Sequence, residues 1–424
     1  MKVRLPYGKE WVEVDLPEEG KVTVIEPQYV AGLPDQAEGV RDALSQPIGS
    51  PPLRELVKSS DSVGILFSDI TRPTPYHVIL PSLLDQLRHL SQEQIIFFNA
   101  TGTHRGNTEA ELREILGDGV IGKYRIVQND ARKQSSHVHV GTTTSGNDIL
   151  IHRELVECDL RILTGFIEPH LFAGFSGGGK AIIPGMALLE TIQRNHSPKN
   201  IDNPRARWGV TDGNPVWEEI QEASAMVNTT FLLNIALNRE KQITAIFAGN
   251  LEEAYSKGCA FVKETAMATV AEPSDIVITS NSGYPLDLNV YQAVKGMSAA
   301  AQVVKDGGSI IIAAECWDGI PNHGAYGGLL REAESPKSLL ERIRAPGFAM
   351  QDMWQAQIHA LIRLRADLYL HTHNLSDEEI ERVLLKPCHQ IEETVEALLK
   401  RYGPTATICV LPQGPQTIPY LKSR

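Results

Sequence analysis

The side chains with the richest chemical potential are gathered in one stretch, Gly165–His196, which reads GFIEPHLFAGFSGGGKAIIPGMALLETIQRNH. It supplies two imidazoles (His170 and His196), one amine (Lys180) and the glycine run Gly177–Gly179. An imidazole carries protons near neutral pH or ligates a metal, a lysine amine can act as a nucleophile, and glycines let backbone approach a ligand closely. Residues 174–180 also satisfy G-x-x-x-x-G-K, the opening of a phosphate-binding P-loop. Two features argue against that reading. Ala181 stands where a P-loop needs a hydroxyl for Mg²⁺, and Pro184-Gly185 interrupts the long helix that such a loop opens. What survives is a backbone cradle, so Ser176, Gly177, Gly178 and Gly179 are expected to hold a nucleotide-like phosphate. His196 ends a helical segment just before Ser197-Pro198 and reads either as a metal ligand or as a C-capping imidazole.

Hydrophobic pattern defines the elements that carry these groups. Ser62–Phe67 is a compact apolar run that leads into Ser68-Asp69 and Arg72, and Gln94–Asn99 leads into a loop carrying His104 before a helix that Thr108 and Glu111 cap as T-x-x-E. Arg125–Val127 ends in Gln-Asn-Asp130, and Asp159–Leu163 runs into the focal stretch. Four strands thus deliver polar residues to what reads as one edge of a mostly parallel sheet, the edge where open α/β sheets bind ligands. Trp11–Val14 and Lys21–Ile25 read as a small hairpin or edge strands, Phe231–Leu237 and Thr244–Phe247 as an adjacent pair, and Ala254–Ala268 as a helix. A second strand-loop-helix-strand unit begins after Pro273-Ser274 and includes a helix in which Tyr291 and Lys295 share a face, with Gln292 beside them. The expected organisation is therefore α/β with two domains, residues 1–272 and 273–424, each a mostly parallel sheet flanked by helices, with the active site in the cleft between Gly165–His196 and Tyr291–Lys295. His137 and His139 alternate and are read as surface residues. His152, His371, His373 and the packing of Trp354 have structural explanations.

Bulk properties narrow the function classes. The chain has 424 residues, 42% of them hydrophobic, enough for two or three cores, and its net charge of −12 disfavours a nucleic-acid surface. No segment has the length of a signal-peptide core or a membrane span, so a cytoplasmic protein without nucleic-acid or membrane partners is expected. The five cysteines are dispersed without a C-x-x-C pair and read as reduced, buried thiols.

Taken as a set, SDITRP at Ser68–Pro73, TGTHR at Thr101–Arg105, the EPH and GGGK segments of the focal stretch, RNHSP at Arg194–Pro198 and YQAVKG at Tyr291–Gly296 resemble the nickel-pincer-dependent lactate racemase family over essentially the whole chain. The resemblance implies a cofactor containing nickel, a pyridinium-3-thioamide-5-thiocarboxylic acid mononucleotide covalently attached to Lys180, with His196 as protein ligand to the metal. It implies His104 and His170 as the acid/base pair. Asp69, Arg72, Tyr291, Gln292, Lys295 and Trp354 would surround the cofactor or substrate, with Arg72 or Lys295 on the substrate carboxylate. Cofactor maturation proteins would be transient partners. Such an enzyme interconverts D- and L-lactate, or another short 2-hydroxy acid, by proton-coupled hydride transfer through a 2-keto acid, and inversion explains the need for two imidazoles. A pincer-dependent racemase or epimerase of a larger 2-hydroxy acid (malate, a phenyl-substituted acid, a sugar acid) is the alternative within the same chemistry, distinguished by residues such as Leu171, Phe172 and Trp354. A nucleotide- or phosphate-binding protein without catalysis would keep the glycines and have no use for His104 and His170.

Overall fold

A computed structural model describes residues 1–17, 22–322 and 324–421. Two compact units partition it: one comprises Tyr29–Glu168 and Phe172–Glu264, the other Met1–Gln28, Pro169–Leu171 and Thr265–Arg424. The N-terminal segment and the residues around His170 are therefore grouped with the C-terminal part of the chain, unlike the contiguous division at 272/273. The cause is strand pairing, because Val22–Val24 runs parallel to Ile408–Leu411 as an edge strand. Of the expected Lys21–Ile25 strand, Lys21 lies outside the described residues. Trp11–Val14 belongs to the strand Glu10–Asp15, which pairs antiparallel with Lys2–Tyr7.

The first unit is built on a six-stranded sheet in the order Ile243–Gly249, Phe231–Leu237, Leu160–Phe166, Val63–Phe67, Ile95–Asn99 and Arg125–Gln128. All pairs are parallel except the first, an antiparallel edge. Val63–Phe67 and Leu160–Phe166 are buried at every residue, as expected of central parallel strands covered on both faces. Val40 and Leu44 of the helix Gln36–Ser45 pack on this sheet together with Tyr76, Ile79 and Leu83 of the helix Tyr76–Gln86. Each such side chain contributes about 1.5–3 kcal/mol by leaving water. Strand order reverses between Val63–Phe67 and Leu160–Phe166, and just past their carboxyl ends lie Asp69 and Glu168. A crevice at such a reversal is the favoured ligand site of open parallel sheets.

The second unit repeats the plan with an all-parallel sheet ordered Lys386–Pro387, Ala366–His371, Val304–Ala313, Ser274–Ser280, Ile408–Leu411, Val22–Val24. The N-terminal hairpin (Val3, Leu5, Val14) and the helix Ile391–Tyr402 (Ile391, Val395, Leu398) share a core with Ile276, Ile278 and Ile311. The helices Val290–Ala301 and Met353–Arg365 pack on one another and against the strands. Order reverses here between Ser274–Ser280 and Ile408–Leu411, and the latter leads into the short turn Gly414–Gln416.

One expectation fails outside the sites. His137 is buried rather than on the surface, because Asn129 and the Lys133 carbonyl cover the start of its strand and bond Nε2 (3.1 Å) and Nδ1 (2.9 Å). His139 is exposed, and the strand pairing shifts register between His139 and Gly141. All five cysteines are free and buried. Among the described residues no helix is long and apolar enough to cross a membrane.

Candidate active site

In the first unit the loop after Val63–Phe67 turns back on itself, and Asp69 Oδ1 accepts hydrogen bonds from the Thr71 amide (3.0 Å) and hydroxyl (2.6 Å). This leaves Asp69 Oδ2 facing His104 Nδ1 at 2.5 Å. A carboxylate oxygen only accepts, so Nδ1 carries a proton and donates it, and Nε2 is directed away from Asp69. Burial alone would raise the Asp69 carboxyl, but the His104 ring beside it, its hydrogen bond and Arg72 hold it well below the ordinary value. The His104 loop is itself braced. Arg105 grips Glu111 through two bonds of 2.8 and 2.7 Å, while Glu111 and Thr108 close the expected capping box.

Arg72 Nε lies 4.0 Å from Glu168 Oε1. Two bonds join Glu168 to Ser176: the Glu168 amide donates to the Ser176 hydroxyl (3.0 Å), and the Ser176 amide donates to the Glu168 carbonyl (2.9 Å). The same hydroxyl donates to the Phe166 carbonyl (3.1 Å). The glycine run comes next in a tight 3₁₀ turn, Gly178–Ala181. Gly177 and Gly178 have φ of +75° and +55°, and a Cβ at Gly178 would fall 2.5 Å from the Tyr255 ring. The Gly178 amide donates to Asn234 Oδ1 (2.8 Å). These glycines are thus explained by the protein packing on itself, a reason that the P-loop pattern did not supply. The turn's product is the placement of Lys180. Its amine lies 5.6 Å from the centre of the Phe172 ring, which meets the His196 ring edge-on at 4.9 Å.

Burial, then the charge of Arg72, lower the Lys180 amine to about 7, with Glu168 opposing them. Burial and Lys180 push His196 well below its ordinary value, so the ring is neutral. His196 is the C-cap of the helix Leu189–Asn195, as expected, but its Nδ1 meets the Asn195 side-chain oxygen at 2.9 Å. Asp69, Arg72, His104, Lys180 and His196 therefore form one electrostatically connected group within this unit.

The second unit gathers the remaining expected residues. Asn289 caps the helix Val290–Ala301 by accepting from the Gln292 amide (3.1 Å), and the Gly296 amide donates to Asn281 Oδ1 (3.0 Å) at the end of Ser274–Ser280. Gln292 and Lys295 are buried. Trp354 donates its Nε1–H to the Tyr291 hydroxyl (3.1 Å), and Gln355 donates to the Tyr291 carbonyl (2.7 Å). The turn Gly414–Gln416 packs against both this helix and the two-residue strand Pro169–His170. His170 thus sits at this unit's strand-order reversal and is buried.

Comparison with known proteins decides the family. A family model described as the lactate racemase N-terminal domain matches residues 7–209, and one for the C-terminal domain matches 268–418. A protein named lactate racemase from Thermoanaerobacterium thermosaccharolyticum is 37% identical, covering 98% of each chain. The chain belongs to the lactate racemase family. It is an isomerase of the racemase class. A second lactate racemase, from Lactiplantibacillus plantarum, is also 37% identical and covers 97% of this chain and 98% of its own. The structure of the T. thermosaccharolyticum lactate racemase apoprotein superposes with a TM-score of 0.90 at 36% identity over 100% of both chains. A Thermotoga maritima crystal structure shares the fold alone, with a TM-score of 0.73 at 23% identity, covering 93% of this chain and 100% of its own.

The residues of this lactate racemase family member fit the cofactor that the sequence resemblance implies. Lys180 is an amine kept reactive at neutral pH, and His196 is a neutral imidazole edge-on to the Phe172 ring. Among the described residues no three His, Cys, Asp or Glu side chains cluster as a metal site. A metal here would draw its remaining donors from the cofactor. Glu168 and Asn195 were not singled out by sequence reasoning. Both adjoin residues that were, Glu168 within EPH and Asn195 within RNHSP, and that adjacency was the available signal.

Proposed function

We propose that the protein interconverts the D and L forms of lactate, or of another short 2-hydroxy acid, with a nickel-pincer nucleotide covalently attached at Lys180 and its nickel ligated by His196. When bound, that cofactor would supply reversible hydride-accepting chemistry for the substrate's α-carbon. The protein's own residues do the rest. His104 takes the hydroxyl proton at Nε2, and Asp69, held ionised, stabilises the imidazolium that results. Loss of both hydrogens leaves a planar 2-keto acid. His170 exchanges the hydroxyl proton for the opposite enantiomer, so each hand of substrate has its own imidazole. Arg72 or Lys295 anchors the carboxylate, Arg72 by a bidentate fork or Lys295 as a point charge. Gln292, Tyr291 and Trp354 orient the substrate and cofactor. Ser176 and the glycines Gly177, Gly178 and Gly179 serve the cofactor by holding the turn from which Lys180 projects.

The single observation that carries the reading is the 2.5 Å Asp69–His104 contact, which sets a histidine up as a proton acceptor. The test monitors the loss of circular dichroism of L-lactate with holoenzyme produced alongside its maturation proteins. His104→Ala and His170→Ala should each lower the rate by ~10²–10⁴-fold, while intact-protein mass still shows the added cofactor. Lys180→Ala should lack that mass. Full activity in either histidine variant refutes the two-imidazole scheme.

A further inference from the structure

Behind His196 lies a polar chain whose geometry determines which ring nitrogen holds the proton. Asn195 and Glu219 are 0% and 5% exposed. The Asn195 amide nitrogen donates to the Val216 carbonyl (3.1 Å) and to Glu219 Oε2 (2.7 Å). Both partners only accept, so the amide cannot turn over without setting its oxygen against two acceptors. Its oxygen must therefore face His196, as it does at 2.9 Å. An amide oxygen likewise only accepts, which makes Nδ1 the protonated nitrogen and Nε2 the one with the lone pair.

Glu219 is held in turn. Its Oε2 also accepts from Asn147 Nδ2 (3.0 Å), and Oε1 accepts from the Thr143 hydroxyl (3.3 Å) and the Ser145 hydroxyl. Donors from the Thr143–Asn147 turn thus bond both carboxylate oxygens of Glu219, Asn147 sharing Oε2 with Asn195. A histidine that merely caps its helix directs its ring at a main-chain carbonyl, whereas this ring faces an amide oriented from behind by a buried carboxylate.

We propose that Asn195 and Glu219 are positioning residues, a relay that holds His196 in the Nδ1–H tautomer and so presents Nε2 as the metal-binding nitrogen. The inference rests on the proposed role of His196 as nickel ligand. Outer partners of ligating histidines commonly set both tautomer and ring orientation, and their loss weakens metal binding by ~10–100-fold.

The test has two readouts. In ¹⁵N-histidine-labelled apoprotein, long-range ¹⁵N–¹H correlations should show a protonated Nδ1 and an unprotonated Nε2 for His196. Glu219→Gln should keep this pattern, since a glutamine can direct its oxygen at Asn147 and Asn195 and its NH₂ at hydroxyls able to accept. Asn195→Leu and Glu219→Leu should each give a mixture of tautomers. In holoprotein, Asn195→Leu should weaken nickel retention against a chelator by ~10–100-fold, with the cofactor mass on Lys180 unchanged. If Glu219→Leu does not fold, Asn195→Leu and Glu219→Gln carry the comparison. A wild-type His196 protonated at Nε2, or an unaltered tautomer in Asn195→Leu, overturns the relay. An Asn195-dependent tautomer with unchanged nickel release upholds the relay and overturns instead the assignment of His196 as ligand.

Discussion

The amine of Lys180 can be tested without nickel or substrate. Burial and Arg72 lower it to about 7. With such a value roughly half the amine is neutral at pH 7, against about one part in 3000 for an ordinary lysine. Only the neutral amine attacks an acyl group, so acylation of Lys180 should rise ~10-fold between about pH 6 and pH 8 and then level off, while an ordinary amine rises ~100-fold over that span and keeps climbing. The assay is brief labelling of apoprotein with an activated ester, followed by peptide mass spectrometry, with a free lysine peptide in the same tube as reference. Two charge changes sharpen it. Arg72→Gln removes a cation beside the amine and should move the midpoint up; Glu168→Gln removes the opposing anion and should move it down. General loosening of the site would raise the midpoint in both variants, so opposite signs identify the electrostatic cause. A ~100-fold climb in the wild type, or variants that shift the same way, refutes the reasoning.

Asp69→Asn should lower turnover by ~10²–10⁴-fold, because the Thr71 amide needs an acceptor and would draw the new side-chain oxygen, turning the NH₂ toward His104 Nδ1 and forcing the proton onto Nε2; a holoenzyme with normal turnover would count against the Asp69–His104 assignment. Gly178→Ala combines a left-handed backbone with a collision on Tyr255, so chemical denaturation should show a loss of about 2–5 kcal/mol, and an unchanged midpoint would mean that the turn is not packed as described. His359, fully buried and bonded to the Tyr326 hydroxyl at 2.9 Å, has its pKa lowered from 6.5 to about 3 by burial and by Arg363. The unfolded chain binds this proton first, so stability should fall as pH drops through that window, by on the order of 5 kcal/mol in full. His359→Phe should flatten the slope, and an identical pH dependence in the variant would exclude His359 as its source.

Much of this was readable from residue types because the active groups lie just past short apolar strands. The runs ending at Phe67 and Asn99 are parallel strands, and Asp69 and His104 sit on the loops that leave them. Thr108 and Glu111 announced their helix through local chemistry alone. Long-range facts were not legible. That Val22–Val24 pairs with Ile408–Leu411 depends on contacts no window of sequence contains. His137 and His139 have the same local pattern, yet Asn129 and the Lys133 carbonyl cover His137 while His139 is exposed. The glycine run has a packing role that its spacing does not announce, since the Tyr255 ring and the Asn234 side chain crowd Gly178 and Gly177.

The two imidazoles of the first unit are held in one tautomer by different means, and the difference matches the tasks proposed for them. His104 Nδ1 faces a carboxylate directly. A carboxylate there accepts from Nδ1–H and leaves Nε2 for the proton exchange proposed for this ring. His196 Nδ1 faces a neutral amide, and the nearest carboxylate of the relay, Glu219, stands one residue further back. A neutral partner orients the ring without stabilising its protonated form, and burial beside the Lys180 amine disfavours that form further. The same unit thus carries two histidines braced at Nδ1 by different partners, a carboxylate behind the ring proposed to move a proton and an amide behind the ring proposed to hold the metal.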